Sequence, residues 1–187
     1  MGRWEPNASG RLREAALDLY VERGYEQTTV AEIAQRAGLT ARTFFRYFAD
    51  KREVLFAGSA ALQERMVGAL EGAPAAASPM AAVAVALDAA AGELGGRREH
   101  SRRRQSVIAA NAELRERELI KLASLSAALA DGLRRRGVPD PDATLAAEAG
   151  IAVFRVGFER WVDDPADRDL SQVMRESLDQ LRGLTAG

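Results

Sequence analysis

Helical periodicity runs along this chain almost without interruption, and no stretch sustains the apolar and polar alternation that a half-buried strand needs. That pattern restricts the chain to an all-α fold. Ser9 is placed to cap a first helix over about residues 9–23, with Leu12, Ala15, Ala16, Leu19 and Tyr20 on one face and Gly24 as its stop. Thr29, with Glu32 three positions on, forms a capping box for a second helix, Val30 to Ala37. Gly38 ends it, and Thr40 caps a third short helix through Arg46. Asp50 is expected to open a long fourth helix carrying Val54, Leu55, Leu62, Met66 and Leu70. After the Pro74 to Pro79 loop come a fifth helix, Met80 to Leu94, a basic run from Arg97 to Arg104, a sixth helix from Ser106 to Asn111, and a seventh from Glu113 to Arg136. An eighth, capped by Asp142, extends to Val162, and a ninth runs from Leu170 to Leu184.

With 187 residues, the chain is long enough for one sizeable core or for a small module joined to a larger one. Its formal charge of -1 supplies no global basic field, so any surface for nucleic acid has to be local. The absence of cysteine excludes disulfides, thiolate metal sites and a cysteine nucleophile, and fits a cytoplasmic setting. No apolar run follows Arg3, so no cleaved signal is expected, and the alanine-rich Pro74 to Gly92 window is too weakly hydrophobic to span a membrane. Catalysis finds little footing. His100 is the only histidine, and no Gly-x-Ser-x-Gly elbow, Gly-rich phosphate loop or His-x-x-x-His spacing occurs. The chain is therefore expected not to be an enzyme, and no cofactor or metal is implied.

The stretch Val30 to Phe48 carries the chemistry of a helix-turn-helix. Ala34 must be small where two helices approach, and Gly38 permits the left-handed conformation of a sharp turn. Ile33, Leu39, Phe44 and Phe48 supply the apolar wedge, which leaves Ala41, Arg42, Thr43, Phe45 and Arg46 free to enter a major groove. From Thr28 to Leu55, including the Tyr47-Phe48-x-x-Lys51 continuation, the chain resembles the TetR family of transcription regulators. The resemblance implies a nine-helix, two-module, Ω-shaped homodimer. Residues 1–50 would form the DNA-binding domain, residues 51–187 the ligand-binding and dimerisation domain, and helices 8 and 9 the dimer bundle. It further implies that Thr29, Thr40, Tyr47 and Lys51 hold DNA phosphates, while Arg42 and Thr43 read bases and Arg46 serves either edge or phosphate. Arg42 has the fork that fits guanine O6 and N7. The sequence departs from the family where glycine is common at the Arg42 position and tyrosine at the Phe45 position. Phe45 cannot donate to a phosphate, and a thymine methyl is its natural partner.

The last two thirds of the chain share only architecture with that family. Leu145, Ala149, Ala152, Val153, Val156, Phe154, Phe158 and Trp161 make the eighth helix apolar over more than one face, so one face is assigned to the monomer core and another to a second copy. Arg97, Arg98, Arg102, Arg103 and Arg104 form either a solvated helix end or the entrance for an anionic effector such as an acyl-coenzyme A. Arg104, Asn111, Arg155 and Phe158 are the candidate ligand contacts. The function so implied is a repressor released from a palindromic operator by a small molecule. The alternative is a helical small-molecule-binding or adaptor protein without DNA readout, which leaves the joint spacing of Thr29, Thr40, Tyr47 and Lys51 unexplained.

Overall fold

The computed structural model describes residues 7–185, which contain no strand. The elements are α1 (Ala8–Arg23), α2 (Val30–Arg36), α3 (Ala41–Tyr47), a 3-10 turn (Glu53–Phe56), α4 (Ser59–Glu71), α5 (Pro79–Leu94), α6 (Arg98–Ala110), α7 (Ala112–Arg135), α8 (Asp142–Val162) and α9 (Leu170–Thr185). A second 3-10 turn, Gly95–Arg97, leads from α5 into α6, and only Asn111 separates α6 from α7.

Three boundaries differ from expectation, each for a local reason. Ser9 does not cap α1; the helix starts one residue earlier, behind Asn7, whose φ of 68° lies in the left-handed region that asparagine tolerates. The long fourth helix is split. Asp50 does accept from the amides of Arg52 and Glu53, at 2.8 and 3.2 Å, but what it caps is the short turn 53–56. Val54, Leu55 and Phe56 are all buried there, and three consecutive residues cannot share one face of an α-helix. The sixth helix, expected from Ser106, begins at Arg98, so the basic run is helical.

Cα packing divides the chain into two compact units, residues up to Gly58 with 103–118, and residues 59–102 with 119 onward. The sequence suggests a single cut after residue 50. The units instead place the 53–56 turn and the segment 103–118 with α1 to α3. In the first unit Leu12, Ala16, Leu19 and Tyr20 of α1 form one core with Ile33, Phe44, Phe48, Val54, Phe56, Val107, Ile108 and Leu114. Each large member contributes roughly 1.5–3 kcal/mol by leaving water.

The second unit is organised around α5, which packs against α4, α8 and α9. Ser78 caps it by accepting from the Ala81 amide, and Pro79 occupies its first turn, where a missing N–H costs nothing. Its small residues let neighbours come close. A Cβ added to Gly150 of α8 would lie 2.5 Å from the Val83 side chain of α5. Ala147, Val153, Phe154 and Trp161 bury the same side of α8, while Leu145 and Val156 on the other side remain 64% and 44% exposed. Among the described residues, no helix is long and apolar enough to cross a membrane.

Candidate nucleic-acid interface

The expected turn between α2 and α3 is built as its residues require. Thr29 accepts from the Glu32 amide at 3.3 Å, while Glu32 Oε2 accepts from the Thr29 amide and hydroxyl, both at 2.8 Å. That reciprocal pair satisfies donors that the helix start leaves unpaired. It also acts on Glu32, whose carboxyl is held below the usual carboxylate range chiefly by the Thr29 amide. At the other end of α2 the chain turns through Gly38, with φ of 67°, and the Leu39 amide donates to Ala34 O at 2.8 Å. Thr40 then caps α3 by accepting from the Thr43 amide at 3.2 Å.

Anchored by Phe44, which is wholly buried, α3 turns its other side outward. Thr29, Thr40, Arg42, Phe45, Arg46 and Tyr47 are exposed, and Ala41, Thr43 and Lys51 are partly so. Phe45 is 58% exposed and meets Phe44 edge to face, with ring centroids 5.5 Å apart. The Arg46 guanidinium lies 5.0 Å from the Tyr47 ring centre and donates to its hydroxyl at 3.2 Å. Residues 39–49 include two arginines and no carboxylate, so the protruding edge is locally cationic although the chain is not. The surface combines cations, hydroxyls and an exposed aromatic ring on a helix narrow enough for a major groove.

Lys51 stands apart from that surface. Its ammonium donates to the carbonyls of Tyr25, Thr28 and Glu26, at 2.8, 3.1 and 3.4 Å, and sits 4.3 Å from the Tyr25 ring centre. Its donors therefore point into the protein, where the sequence suggests an outward phosphate contact.

Residues beyond the motif brace the module, and no sequence signal announces them. Arg103 reaches Asp18 of α1, Arg52 joins Asp50 and Glu113, and Arg117 pairs with Glu53. The Arg52 guanidinium is also what holds the Asp50 carboxyl below its ordinary range. The Arg117 and Arg103 pairs join residues 64 and 85 positions apart, a distance over which no local spacing signal exists.

The four candidate ligand residues fall in separate places. Arg104 donates to Leu55 O at 2.8 Å, pairs with Glu118 at 3.3 Å and lies over the Phe56 ring, all within the first unit. Asn111, also in that unit, donates to Val107 O at 2.7 Å and closes the end of α6. Arg155 lies on the exposed side of α8, and Phe158 is half-buried between Phe154 and Trp161, with ring centroids 6.0 and 5.7 Å away. Arg98 and Arg102 of the basic run are engaged too, Arg98 with Asp167 and the Asp164 carbonyl, and Arg102 with Val162 O at 2.8 Å.

Two family profiles match the chain. That of the bacterial regulatory proteins, tetR family, covers residues 12–57, and that of the MftR C-terminal domain covers residues 77–185. The HTH-type transcriptional regulator TcmR of Streptomyces glaucescens is 40% identical over 84 residues, which are 45% of this chain and 37% of that protein. The chain thus spans little more than a third of the length of this curated relative. The transcriptional regulator FadR of Bacillus subtilis, solved in complex with stearoyl-CoA, superposes with a TM-score of 0.61 at 24% identity, over 92% of this chain and 96% of that one. The TetR family transcriptional regulator PfmR of Thermus thermophilus gives a TM-score of 0.55 at 25% identity, over 91% and 96%.

Proposed function

We propose, from the premise that this chain belongs to the tetR family of bacterial regulatory proteins, that it is a cytoplasmic transcriptional repressor whose two copies bind a palindromic operator and leave it when a small molecule binds. The observation that carries the reading is α3 itself, a short helix with Phe44 locked in the core and Arg42, Phe45, Arg46 and Tyr47 turned outward. Arg42 and Thr43 are the base readers in this proposal, Ala41 and Phe45 contact thymine methyls or sugar, and Thr29, Thr40 and Tyr47 hold phosphates through their hydroxyls. Arg46, tethered to Tyr47, serves the backbone.

Dimerisation through α8 and α9 is supported by what those two helices leave open. Leu145 and Val156 of α8 and Leu184 of α9 are large, apolar and exposed. Two α3 helices related by a two-fold axis would meet half-sites about one helical turn, or a multiple of it, apart.

For the effector, Phe158 beside Phe154 and Trp161 is a suitable wall for an apolar chain, and an acyl-coenzyme A is the class to test first. Arg104 and Asn111 already have partners inside the first unit, so the anionic end of such a ligand would rely on other groups, Arg155 among them.

The test is a gel shift on duplexes from the flanking DNA of its own gene, at several salt concentrations, with and without acyl-coenzyme A compounds of graded length. The expected result is one retarded complex holding two chains, which weakens as salt rises and dissolves with one ligand class. A monomer that ignores every such duplex at low ionic strength would overturn the proposal.

A further inference from the structure

We propose that Lys51 is a positioning residue that clamps the corner between α1 and α2 from within, and that it keeps this role when DNA is bound instead of turning out to a phosphate. The inference rests on the DNA-binding reading above. An ammonium group has three N–H donors, and three carbonyls, of Tyr25, Glu26 and Thr28, converge on this one at 2.8, 3.4 and 3.1 Å. The Tyr25 ring covers a further side, with its centre 4.3 Å from Nζ. Lys51 is itself pinned by its main chain, because the Tyr20 hydroxyl donates to Lys51 O at 2.7 Å. Tyr20 and Tyr25 in turn meet edge to face, with centroids 5.2 Å apart.

The corner is gripped from its other side as well. Thr28 is buried, and its hydroxyl donates to Gly24 O at 2.8 Å. The next residue is Thr29, which caps α2, and α2 carries the turn on which α3 is mounted. Freeing the ammonium would take a donor from all three carbonyls at once, leaving Tyr25 O with the Thr28 amide at 3.2 Å, in a corner that sets where α2 begins. A side chain already satisfied in this way has little to gain from a solvated phosphate, so the clamp outlasts DNA binding.

Lysine and arginine separate the two roles. A phosphate contact tolerates arginine, which keeps the charge and fits phosphate well, whereas a flat guanidinium fork cannot aim three donors at three converging carbonyls. The experiment combines amide exchange on the free protein with DNA affinity against salt for Lys51→Arg, Lys51→Met and Tyr20→Phe. For Lys51→Arg we expect faster exchange over residues 24–31, an affinity lowered about tenfold on every sequence, and a salt slope that does not lose the roughly 0.9 carried by one phosphate contact. Lys51→Met should open the same amides, and Tyr20→Phe, which leaves the ammonium in place, should do so to a smaller extent. Exchange across α5 serves as the control for folding in all three.

Unchanged corner protection in Lys51→Met would overturn the clamp. So would full affinity in Lys51→Arg combined with a slope reduced by about 0.9 in Lys51→Met, the signature of one lost phosphate contact. If the corner opens in the variants but the parent protein binds no DNA, the clamp stands and the regulator reading falls.

Discussion

Helices α3 and α8 are each half uncovered, and what they leave uncovered differs in chemistry. The seven residues of α3 bury one large side chain, Phe44, and turn out two arginines, a phenylalanine and a tyrosine. The 21 residues of α8 bury a broad side against α5 and α9, and leave out Leu145, Ala152 and Val156, spaced to fall in one stripe beside Glu148, Arg155 and Glu159. Donors and rings on a slender helix suit a polar, hydrogen-bonding partner; a stripe of small and branched aliphatics flanked by charges suits an apolar surface with a polar rim. Exposure alone therefore says little about function, and the chemistry of the exposed side says a great deal.

The sharpest way to break this contrast is to put a charge on the α8 stripe. Val156→Asp is expected to leave the helix content and the core untouched while converting the dimer to a monomer. DNA affinity should then fall by about 10²- to 10⁴-fold, because the second half-site is no longer delivered at high effective concentration. Analytical ultracentrifugation beside a gel shift reads both. A variant that stays dimeric would move the interface elsewhere and remove α8 from the comparison.

The inner side of α8 answers to a different probe. Gly150→Val places new atoms where even a Cβ would lie 2.5 Å from the stiff, fully buried Val83, and should cost about 2–3 kcal/mol in a denaturant titration. Gly157 offers a milder case within the same helix, since a Cβ there would meet Met174 Sδ at 2.8 Å and a methionine can move aside. Gly157→Ala should therefore cost less than Gly150→Ala, and the reverse order would show that the packing of α8 on α5 is looser than its geometry implies.

On α3 the matching change touches recognition and not stability. Arg42→Ala is expected to leave the melting temperature unaltered and to erase about 1–3 kcal/mol of preference between the operator and a variant with its contacted guanine replaced. Competition binding with both duplexes measures this, and an intact preference would exclude Arg42 from the readout.

These two helices also mark how far a sequence can be read. The geometry of α2, the turn and α3 was legible because its determinants are local: Thr29 with Glu32, a left-handed Gly38, and Thr40 with Thr43 are neighbours in the chain. That α8 is apolar over more than one side was legible as well, and the structure buries Val153, Phe154 and Trp161 while leaving Leu145 and Val156 exposed. What could not be read were contacts made at long range. Nothing near Lys51 tells that its ammonium meets carbonyls some 25 residues back, and nothing near Arg103 or Arg117 points to Asp18 or Glu53. The arginine run looked like a free cationic patch because its partners, Asp18, Glu118, Asp167 and a set of main-chain carbonyls, lie far along the chain. The 53–56 turn was hidden for a related reason, as its three consecutive apolar residues fit a helix pattern until all three have to be buried at once.

The smallest expected effect concerns acid and separates the two helices again. Glu32 is held below the ordinary carboxylate range, first by the Thr29 amide and then by its hydroxyl. A depressed value in the folded state means that the capping box contributes its full stability above the unfolded value of about 4.3, and loses it as pH falls through the lower folded value. Protonated Glu32 offers a poorer acceptor to Thr29, so the first turn of α2 should begin to exchange its amides faster in that acid window. Glu32→Gln keeps an acceptor oxygen in place without the charge, and should leave a slightly weaker box whose opening no longer depends on pH there. Core amides of α8, such as those at Ala147 and Val153, have no carboxylate in the box to lose and should hold their protection over the same range. If α2 and α8 instead opened together as pH dropped, the loss would be global acid unfolding, and the capping box could not be credited with holding the α2 start in place.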